Sequence, residues 1–288
     1  PGGRRSAVSW SDSAGNLWLF GGLYYDGVSL MDRFNDLWKY TPSQGTWTWV
    51  TGDNTLGTAG RYGTLGVPSA ENTPGAREQA VSWTDTSGNL WLFGGWGNDT
   101  NGNGCDLNDL WKFDPVTGYW TWMKGANTVI HAGTYGTLGV PAPENTPGSR
   151  QIACSWTDVS GALWLYGGQG RDSTGAFGNH LCDLWKYDVA TGNWTWMQGS
   201  SIREQAAVYG TPGTPATANT PGGRVCGVTW TGASGALWFF GGDLAGYTSA
   251  WGWRGDLWKF VPPDTVPPTG TIVINGNQSA TNSRTMSI

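Results

Sequence analysis

The sequence predicts an all-β protein built from repeated four-stranded sheets, and three observations support this prediction. First, a Pro-Gly-x-Arg motif begins at residues 1, 74, 147 and 221 of the 288, so the chain repeats about every 73 residues. Second, each repeat contains an apolar strand closed by two glycines, as in GNLWLFGG ending at Gly22. Third, no stretch shows the sustained 3.6-residue spacing and the capping residues of a helix.

Each repeat holds four short strands in the same order. The first follows the Arg and ends in Trp, and the second is the glycine-closed strand. The third reads Asp-Leu-Trp-Lys-aromatic, and the fourth carries Trp-x-Trp in the first three repeats. Because side chains alternate along a strand, the two Trp residues lie on one face. Four short strands joined as a meander are the blade of a β-propeller.

The glycine pair and the turn after the third strand carry a family resemblance. In the third repeat, Tyr187-Asp188 is followed by Thr191-Gly192 and Trp194. This pattern resembles the Kelch repeat, whose family includes the galactose-oxidase-type propeller. The resemblance covers residues 1–261 and implies a Kelch-type β-propeller with repeats 1–73, 74–146, 147–220 and 221–261. These repeats are longer than a Kelch blade of about 50 residues, because each carries a long extra connection.

The fourth repeat has no Trp-x-Trp strand after Phe260. We therefore expect at least four blades, the last without its outer strand, and roughly five to seven in the intact protein. A strand lying upstream of Pro1 would complete the last blade. Residues 262–270 are predicted to be a stiff Pro-rich linker, and residues 271–288 resemble the start of a bacterial immunoglobulin-like domain.

Long connections are predicted on one face of the propeller only. The links from the second to the third strand and from one blade to the next leave on the same face, and both are long. The inter-blade connection carries a recurring Tyr-Gly-Thr at Tyr62, Tyr135 and Tyr209. Because a long structureless loop is uncommon in a compact domain, we expect these connections to be ordered. Elaborated loops on a rigid scaffold favour a binding site on that face.

Composition argues against two kinds of partner. The chain is 13% charged with a net charge of −5 and has no cluster of Lys and Arg, so nucleic acid is not an expected partner. No apolar run approaches the roughly 20 residues of a membrane-spanning helix.

The copper-radical oxidases of the resembled superfamily imply two Tyr, a Cys and two His around the metal. This chain has only His131 and His180, in different repeats, and we expect no cofactor.

Aromatic residues that break the repeat are the first candidates for ligand binding, because the packing of the repeat does not require them. They could stack on sugar rings or anchor a protein partner. The alternative is that each folds back over its own blade edge. The candidates are Tyr24, Tyr25, Trp96, Phe177, Trp251 and Trp253.

The arginines of the repeated motif are a second candidate. Arg4, Arg77, Arg150 and Arg224 would ring one mouth of the central channel and could hold a carboxylate or sulfate bidentately. The favoured alternative is structural, because a repeated acidic residue accompanies each Arg and could pair with it from a neighbouring blade. These acidic residues are Asp36, Asp109, Asp183 and Asp256.

Four cysteines allow two disulfides. Cys105 and Cys182 fall in loops that are interpreted as equivalent, and Cys154 and Cys226 lie in adjacent innermost strands. The pairs Cys105–Cys182 and Cys154–Cys226 would indicate an oxidising compartment. The alternative for the second pair is two buried free thiols.

Together these patterns favour a non-catalytic extracellular or cell-surface module for binding or adhesion. Its expected partner is a glycan or an extracellular protein, held by the loop-rich face. Two alternatives remain open. One is a building block that self-associates into a surface layer or filament. The other is a copper-radical oxidase whose missing ligands come from further blades.

Overall fold

The computed structural model of this chain describes residues 1–28, 31–244 and 252–262. Within those ranges the chain forms strands, turns and loops, with no helix. A search of the same residues for a helix long and apolar enough to cross a membrane found none. Trp251, most of the predicted linker and the predicted immunoglobulin-like segment lie outside the described residues.

The strands follow the repeat. Those of the first repeat are β1 (Val8–Ser11), β2 (Leu17–Phe20), β3 (Leu23–Tyr25), β4 (Met31–Arg33), β5 (Leu37–Thr41) and β6 (Thr46–Thr51). Those of the second are β7 (Arg77–Glu78), β8 (Val81–Thr84), β9 (Leu90–Phe93), β10 (Trp96–Asn98), β11 (Gly104–Asp106), β12 (Leu110–Asp114) and β13 (Tyr119–Lys124). Those of the third are β14 (Arg150–Gln151), β15 (Cys154–Thr157), β16 (Leu163–Arg171), β17 (Phe177–Asp188) and β18 (Asn193–Gln198). Those of the fourth are β19 (Arg224–Val225), β20 (Val228–Thr231), β21 (Leu237–Phe240), β22 (Asp243–Leu244) and β23 (Leu257–Phe260).

Each repeat contributes one antiparallel blade, which confirms the predicted fold class. The strand orders are β1-β2-β5-β6, β8-β9-β12-β13 and β15-β16-β17-β18. The fourth blade has the three described strands β20-β21-β23. The inner strands β1, β8, β15 and β20 contact one another in that order. Hydroxyl groups link them, since Ser82 donates to the Ser9 carbonyl at 3.4 Å and Thr229 to the Ser155 carbonyl at 2.9 Å.

Aromatic side chains fill the space between blades. Trp91 of the second blade is buried and packs against Tyr187 of the third, with ring centroids 5.5 Å apart. The indole N–H of Trp83 donates to the Trp164 carbonyl of the next blade at 3.0 Å. Because indole buries a large area and needs only one hydrogen-bond acceptor, Trp suits this interface. The repeated tryptophans therefore join the blades to one another.

The glycine pair brings successive repeats together. Gly94 and Gly95 have φ values of 62° and 90°, which side chains other than that of glycine rarely allow. The Gly95 N–H donates to the Arg150 carbonyl of the next repeat at 2.9 Å. A Cβ on Gly94 would lie 2.6 Å from that same carbonyl oxygen. The motif therefore permits a backbone contact that a larger residue would block.

Beyond the glycine pair, the central hairpin of each blade continues into a second, smaller sheet. In the second repeat this sheet has the order β11-β10-β7, so the segment starting at the repeated Arg pairs with the hairpin extension. In the third repeat, β16 and β17 run through both sheets and β14 pairs with β16. The small sheets form the loop-rich face that the sequence predicts.

The inter-blade connection is ordered, as predicted. It runs along the outer strand of the next blade, where Ser69 bridges Trp120 and the amide of Asn72 donates to the carbonyls of Val67 and Trp120. Tyr62 of the same connection is buried. The connection therefore covers an edge strand that would otherwise present unpaired backbone groups.

Candidate ligand site at the channel mouth

The repeated arginines form ion pairs and hydrogen bonds within the fold. In the third repeat, Arg150 and Asp183 form a bidentate pair with both distances at 2.7 Å, and neither side chain is exposed. Arg150 also donates to the carbonyls of Gly148 and Gly167. The same pairing occurs for Arg4–Asp36, Arg77–Asp109 and Arg224–Asp256. The predicted ring of anion-binding guanidinium groups is therefore wrong, because an Asp already occupies each Arg. The alternative, pairing with the repeated Asp, is confirmed, except that each Asp belongs to the same blade as its Arg and not to a neighbouring one.

Further side chains donate to each Asp: a Trp and a Tyr to Asp109, Asp183 and Asp256, and among the described residues Trp38 alone to Asp36. Asp183 accepts hydrogen bonds from the Trp185 indole and from the Tyr135 hydroxyl, both at 2.7 Å. Burial would raise the pKa of the Asp183 carboxyl, but the charge of Arg150 and these hydrogen bonds outweigh it and lower that pKa. Tyr135 belongs to the preceding connection, so this cluster links one repeat to the next.

Three positions of the repeat vary strongly on the loop-rich face, and we name them together the variable row. The residue after the repeated Arg is Arg5, Glu78, Gln151 or Val225. The residue after the glycine pair is Leu23, Trp96, Gln169 or Asp243. The residue three before the repeated Asp is Arg33, Asp106, His180 or Trp253.

Strand pairing places these three positions side by side. In the second repeat, Trp96 is the direct partner of both Glu78 and Asp106. Directly opposed residues in an antiparallel sheet point to the same face. The row lies at the end of the innermost strands where the backbone N–H of Gln79 donates to the Ser6 carbonyl and that of Ile152 to the Gln79 carbonyl, both at 3.0 Å. The variable row therefore lies along one mouth of the channel between the inner strands.

The junction of the first and second repeats is charged and aromatic. The Arg33 guanidinium lies 3.6 Å from the centroid of the Trp96 ring. The same group pairs with Glu78, with Nε to Oε1 at 3.0 Å. A cation stacked on indole and held by a carboxylate is a preorganised planar surface.

The junction of the second and third repeats is rich in amides. Gln151 Nε2 donates to the side-chain Oε1 of Gln169 at 3.4 Å, and Gln169 Nε2 donates to Asn179 Oδ1 at 2.8 Å. Asp106 is buried nearby, and burial raises its pKa to about 6 against the lowering effect of the Arg171 charge. Asp106 Oδ1 has no hydrogen-bond partner among the described residues.

At the junction of the third and fourth repeats, a histidine lies between two carboxylates. His180 Nδ1 is 3.4 Å from Glu204 Oε2, and His180 Nε2 is 3.4 Å from Asp243 Oδ2. Glu204 is fixed in turn, since its Oε1 accepts the backbone N–H of Asn179 at 2.8 Å. Residues from all four repeats thus supply donors and acceptors of different charge at these three junctions.

The aromatic residues predicted as ligand contacts do not form one patch. Tyr25 and Phe177 are exposed on separate hairpins, the latter opposite Arg171. Tyr24 packs edge-on against Phe34. Trp96 and Trp253 belong to the variable row, but one face of Trp96 is taken by Arg33. Trp251 lies outside the described residues. No ring contact joins any two of the five described aromatics.

The predicted disulfides are wrong, since all four cysteines carry free thiols. The position equivalent to Cys182 is Asn108 rather than Cys105, because both stand directly before the repeated Asp. Cys182 Sγ lies 3.8 Å from the Ser200 carbonyl instead.

The second predicted pair fails for a backbone reason. Cys226 has a φ of 57°, which interrupts the alternation of side chains between it and the strand that follows. Its backbone N–H faces the Ile152 carbonyl at 3.5 Å, while the Cys154 thiol faces the Gly227 carbonyl at 3.7 Å. Burial raises the pKa of the Cys154 and Cys182 thiols to about 12, so both stay protonated at neutral pH.

A shallow groove of about 270 Å³ lies along the channel, away from the variable row. Its hydroxyl groups donate to carbonyls of the preceding blade, as Thr84 does to Ser11 and Thr157 to Thr84. They thus serve the contact between inner strands. The lining residues are Ser9, Trp10, Ser11, Ser82, Trp83, Thr84, Ser155, Trp156 and Thr157.

The two histidines do not meet. His131 lies in the second connection, with Nε2 2.8 Å from the Thr128 hydroxyl, whereas His180 lies on β17. Across residues 1–28, 31–244 and 252–262, no group of three or more His, Cys, Asp or Glu is arranged to hold a metal ion.

Comparison with known proteins identifies the fold and no more. No protein-family model matches the chain, and no curated protein matches it. The solved structure of YjhT, a β-propeller, is similar over 90% of this chain and 82% of that one, with a TM-score of 0.50 and 15% sequence identity. The blades described above are thus those of a β-propeller.

Proposed function

We propose that this chain is a non-catalytic binding module that recognises a glycan at the variable row. The observation that supports this most directly is the distribution of sequence variation. Residues of the blades, the arginine pairs and the connections repeat, whereas the three positions around one mouth differ in every repeat. Packing requires the former, and a ligand with no internal repeat would require the latter.

The chemistry of the row favours a polar, hydroxyl-rich ligand. Side-chain amides at Gln151 and Gln169 both donate and accept, and the carboxylates of Asp243 in the row and of Glu204 beside it accept. Exposed Trp253 supplies an apolar ring surface at the same mouth. Sugars present hydroxyl groups around an apolar ring face, and this combination of planar polar groups and indole complements them.

We further propose that the module acts outside the cell, in a protein of Kelch type that continues into an immunoglobulin-like domain. This rests on the Tyr-Asp-x-x-Thr-Gly-x-Trp pattern and on the sequence of residues 271–288. A protein ligand at the same mouth is the alternative partner.

The proposal is tested by screening the purified chain against a panel of immobilised glycans, with Gln169→Ala as the site variant. Gln169 contacts the side chains of Gln151, in the row, and of Asn179, beside it, so its loss should weaken binding by about tenfold or more. Gln44→Ala is the matched control, because Gln44 lies in the short turn between β5 and β6, away from the row.

Binding lost in Gln169→Ala and kept in Gln44→Ala would support the site. Equal affinity of both variants, or no saturable binding to any glycan, would contradict it.

A further inference from the structure

Six residues other than glycine have a positive φ in the part of the chain that the structure describes, and four of them share one position of the repeat. This position stands two residues after the repeated Arg, and we name its four residues the left-handed row. They are Ser6, Gln79, Ile152 and Cys226, with φ values of 56°, 57°, 50° and 57°. Residues with a side chain are strained in this backbone conformation, and a β-branched residue such as Ile is rarely found there.

The fold requires the backbone of the left-handed row. The N–H of Gln79 donates to the Ser6 carbonyl and that of Ile152 to the Gln79 carbonyl, both at 3.0 Å. The residue that follows is small in every repeat: Ala7, Ala80, Ala153 or Gly227. It lies against the glycine pair, since a Cβ built on Gly95 would be 3.0 Å from the Ala80 Cα. Glycine in the left-handed row would provide the same backbone without strain.

The fold makes little use of the side chains of the left-handed row. Gln79 and Ile152 are half-buried, between repeats that the structure describes on both sides. Within the described ranges, the Gln79 amide makes no hydrogen bond, and Ile152 belongs to none of the three apolar core clusters. The four side chains also differ from one repeat to the next, as those of the variable row do.

A second left-handed position shows what such a side chain can contribute. It stands five residues before the repeated Tyr of the connection and is Gly57, Ile130 or Glu204. Each N–H donates to a carbonyl of the variable row, as that of Glu204 does to His180 at 2.8 Å. The first repeat has glycine here, whereas the third has a strained Glu204 whose carboxylate meets His180 and the backbone N–H of Asn179. In this chain a strained side chain thus contributes to the channel mouth.

The left-handed row adjoins the variable row and is uncharged. Each of its residues directly follows the first position of the variable row, as Gln79 follows Glu78. Its side chains offer a hydroxyl, an amide, an aliphatic group and a thiol. Burial and the charge of Asp243 raise the pKa of the Cys226 thiol, so that group is also neutral at pH 7. A charged ligand group placed on these side chains would lose water without gaining an opposite charge.

We propose that the left-handed row contacts the ligand of the variable row and that the sugar it contacts is uncharged. This inference rests on the proposed function and adds to it the residues that select the sugar. Backbone strain persists where function requires it, and here the side chains account for the strain. Gln79 provides an amide that donates to and accepts from sugar hydroxyl groups, and Ile152 provides an apolar surface for the ring.

Gln79→Gly tests the side chain, because it removes the amide and relieves the strained backbone together. Binding to immobilised glycans should weaken by about tenfold or more. The urea midpoint of unfolding should equal or exceed that of the wild type, because the relieved strain offsets the flexibility that glycine adds to the unfolded chain. Gln79→Asn should lose less affinity than Gln79→Gly, since Asn keeps an amide and tolerates the left-handed backbone.

Matched glycans test the chemistry of the sugar. Oligosaccharides that end in glucose or galactose are compared with counterparts that end in glucuronic or galacturonic acid, in which a carboxylate replaces the hydroxymethyl group. The wild type should bind the neutral member of each pair about tenfold more tightly or better.

The outcomes separate this inference from the proposed function. Weaker binding by Gln169→Ala with unchanged binding by Gln79→Gly would overturn the role of the left-handed row and leave the variable row as the site. A lowered urea midpoint of Gln79→Gly would also overturn that role, because it would assign the side chain to the fold. Equal binding of the acidic members would overturn the uncharged sugar. No saturable binding to any glycan would overturn both this inference and the proposed function.

Discussion

Arg150 illustrates at the residue scale how the repeat maintains stability. Its guanidinium makes two hydrogen bonds to Asp183 and two to backbone carbonyls without exposure to solvent. Removing one partner of such a pair leaves a buried charge without compensation, which costs far more than the pair itself contributes.

We therefore expect Arg150→Met to lower the free energy of unfolding by about 3–5 kcal/mol. Arg61→Met is the control, because the Arg61–Asp53 pair has side chains 45% and 30% exposed and should contribute no more than about 1 kcal/mol. Urea denaturation of the wild type and both variants measures the difference. Equal losses of unfolding free energy in the two variants would show that burial of the ion pair does not determine the loss of stability.

Asp106 gives a prediction with a defined pH dependence. Its pKa in the folded protein is raised to about 6 by burial, from an ordinary value of 3.8. A carboxyl with a raised pKa favours the folded state below pH 3.8, and that contribution is lost as the pH rises through about 6.

Asp106→Asn removes the charge and should raise the free energy of unfolding at pH 8 by on the order of 1 kcal/mol. The gain should vanish near pH 4, where the wild-type carboxyl is protonated in the folded protein. Urea denaturation at both pH values checks this. A gain of the same size at pH 4 would mean that titration of Asp106 is not its cause.

The sequence predicts some residues better than others for physical reasons. The pairing of each repeated Arg with a repeated Asp follows from their common period. The sequence does not show, however, that the two residues of each pair belong to the same blade. The predicted equivalence of Cys182 and Cys105 is wrong, because loops of different length obscure the alignment that the repeated Asp provides. The variable row is not evident from the sequence alone, since strand pairing shows that Glu78, Trp96 and Asp106 are neighbours. Comparing repeats position by position from the fixed Arg, Gly and Asp would have found it.

At the scale of the element, glycines at the ends of β13 differ in what surrounds them. Gly118 and Gly125 have φ values of 75° and 81°, so alanine is strained at both. Open space surrounds Gly118, whereas a Cβ on Gly125 would overlap the Asn108 carbonyl oxygen.

Gly118→Ala should therefore cost about 1–2 kcal/mol, the strain of the left-handed backbone alone. Gly125→Ala should cost more, because the backbone of Asn108 must move as well. The shift in thermal unfolding midpoint of each variant measures both costs. Equal shifts would show that the blade adjusts at Asn108 without resistance.

Strands and connections were predictable because each depends on local pattern. The alternation of apolar residues and the turn residues define the four blade strands, and the recurring Tyr-Gly-Thr identifies the connection as ordered. The sequence does not predict the extension of β16 and β17 into a second sheet, because a glycine pair is typical of the end of a strand. It is instead a bend within one hairpin, where the backbone of the next repeat approaches.

Across the whole molecule, the positions that repeat and the positions that vary lie in different places. Residues that repeat hold the blades together, and the residues of the variable row lie along one mouth of the channel. The repeating residues determine the fold class, which can therefore be predicted from the composition and the period of the sequence. Function cannot be predicted in this way, because similarity of fold leaves the ligand undetermined. The binding proposal therefore rests on the variable row.

The most direct test compares two residues of β17 that lie three positions apart. His180 belongs to the variable row, and Asp183 belongs to the repeated Arg–Asp pair. We would measure glycan binding by calorimetry and stability by urea denaturation for His180→Ala and Asp183→Asn. We expect His180→Ala to abolish binding while unfolding like the wild type, and Asp183→Asn to lose about 3 kcal/mol of stability or more. Unchanged glycan binding by His180→Ala would contradict the binding site proposed at the variable row.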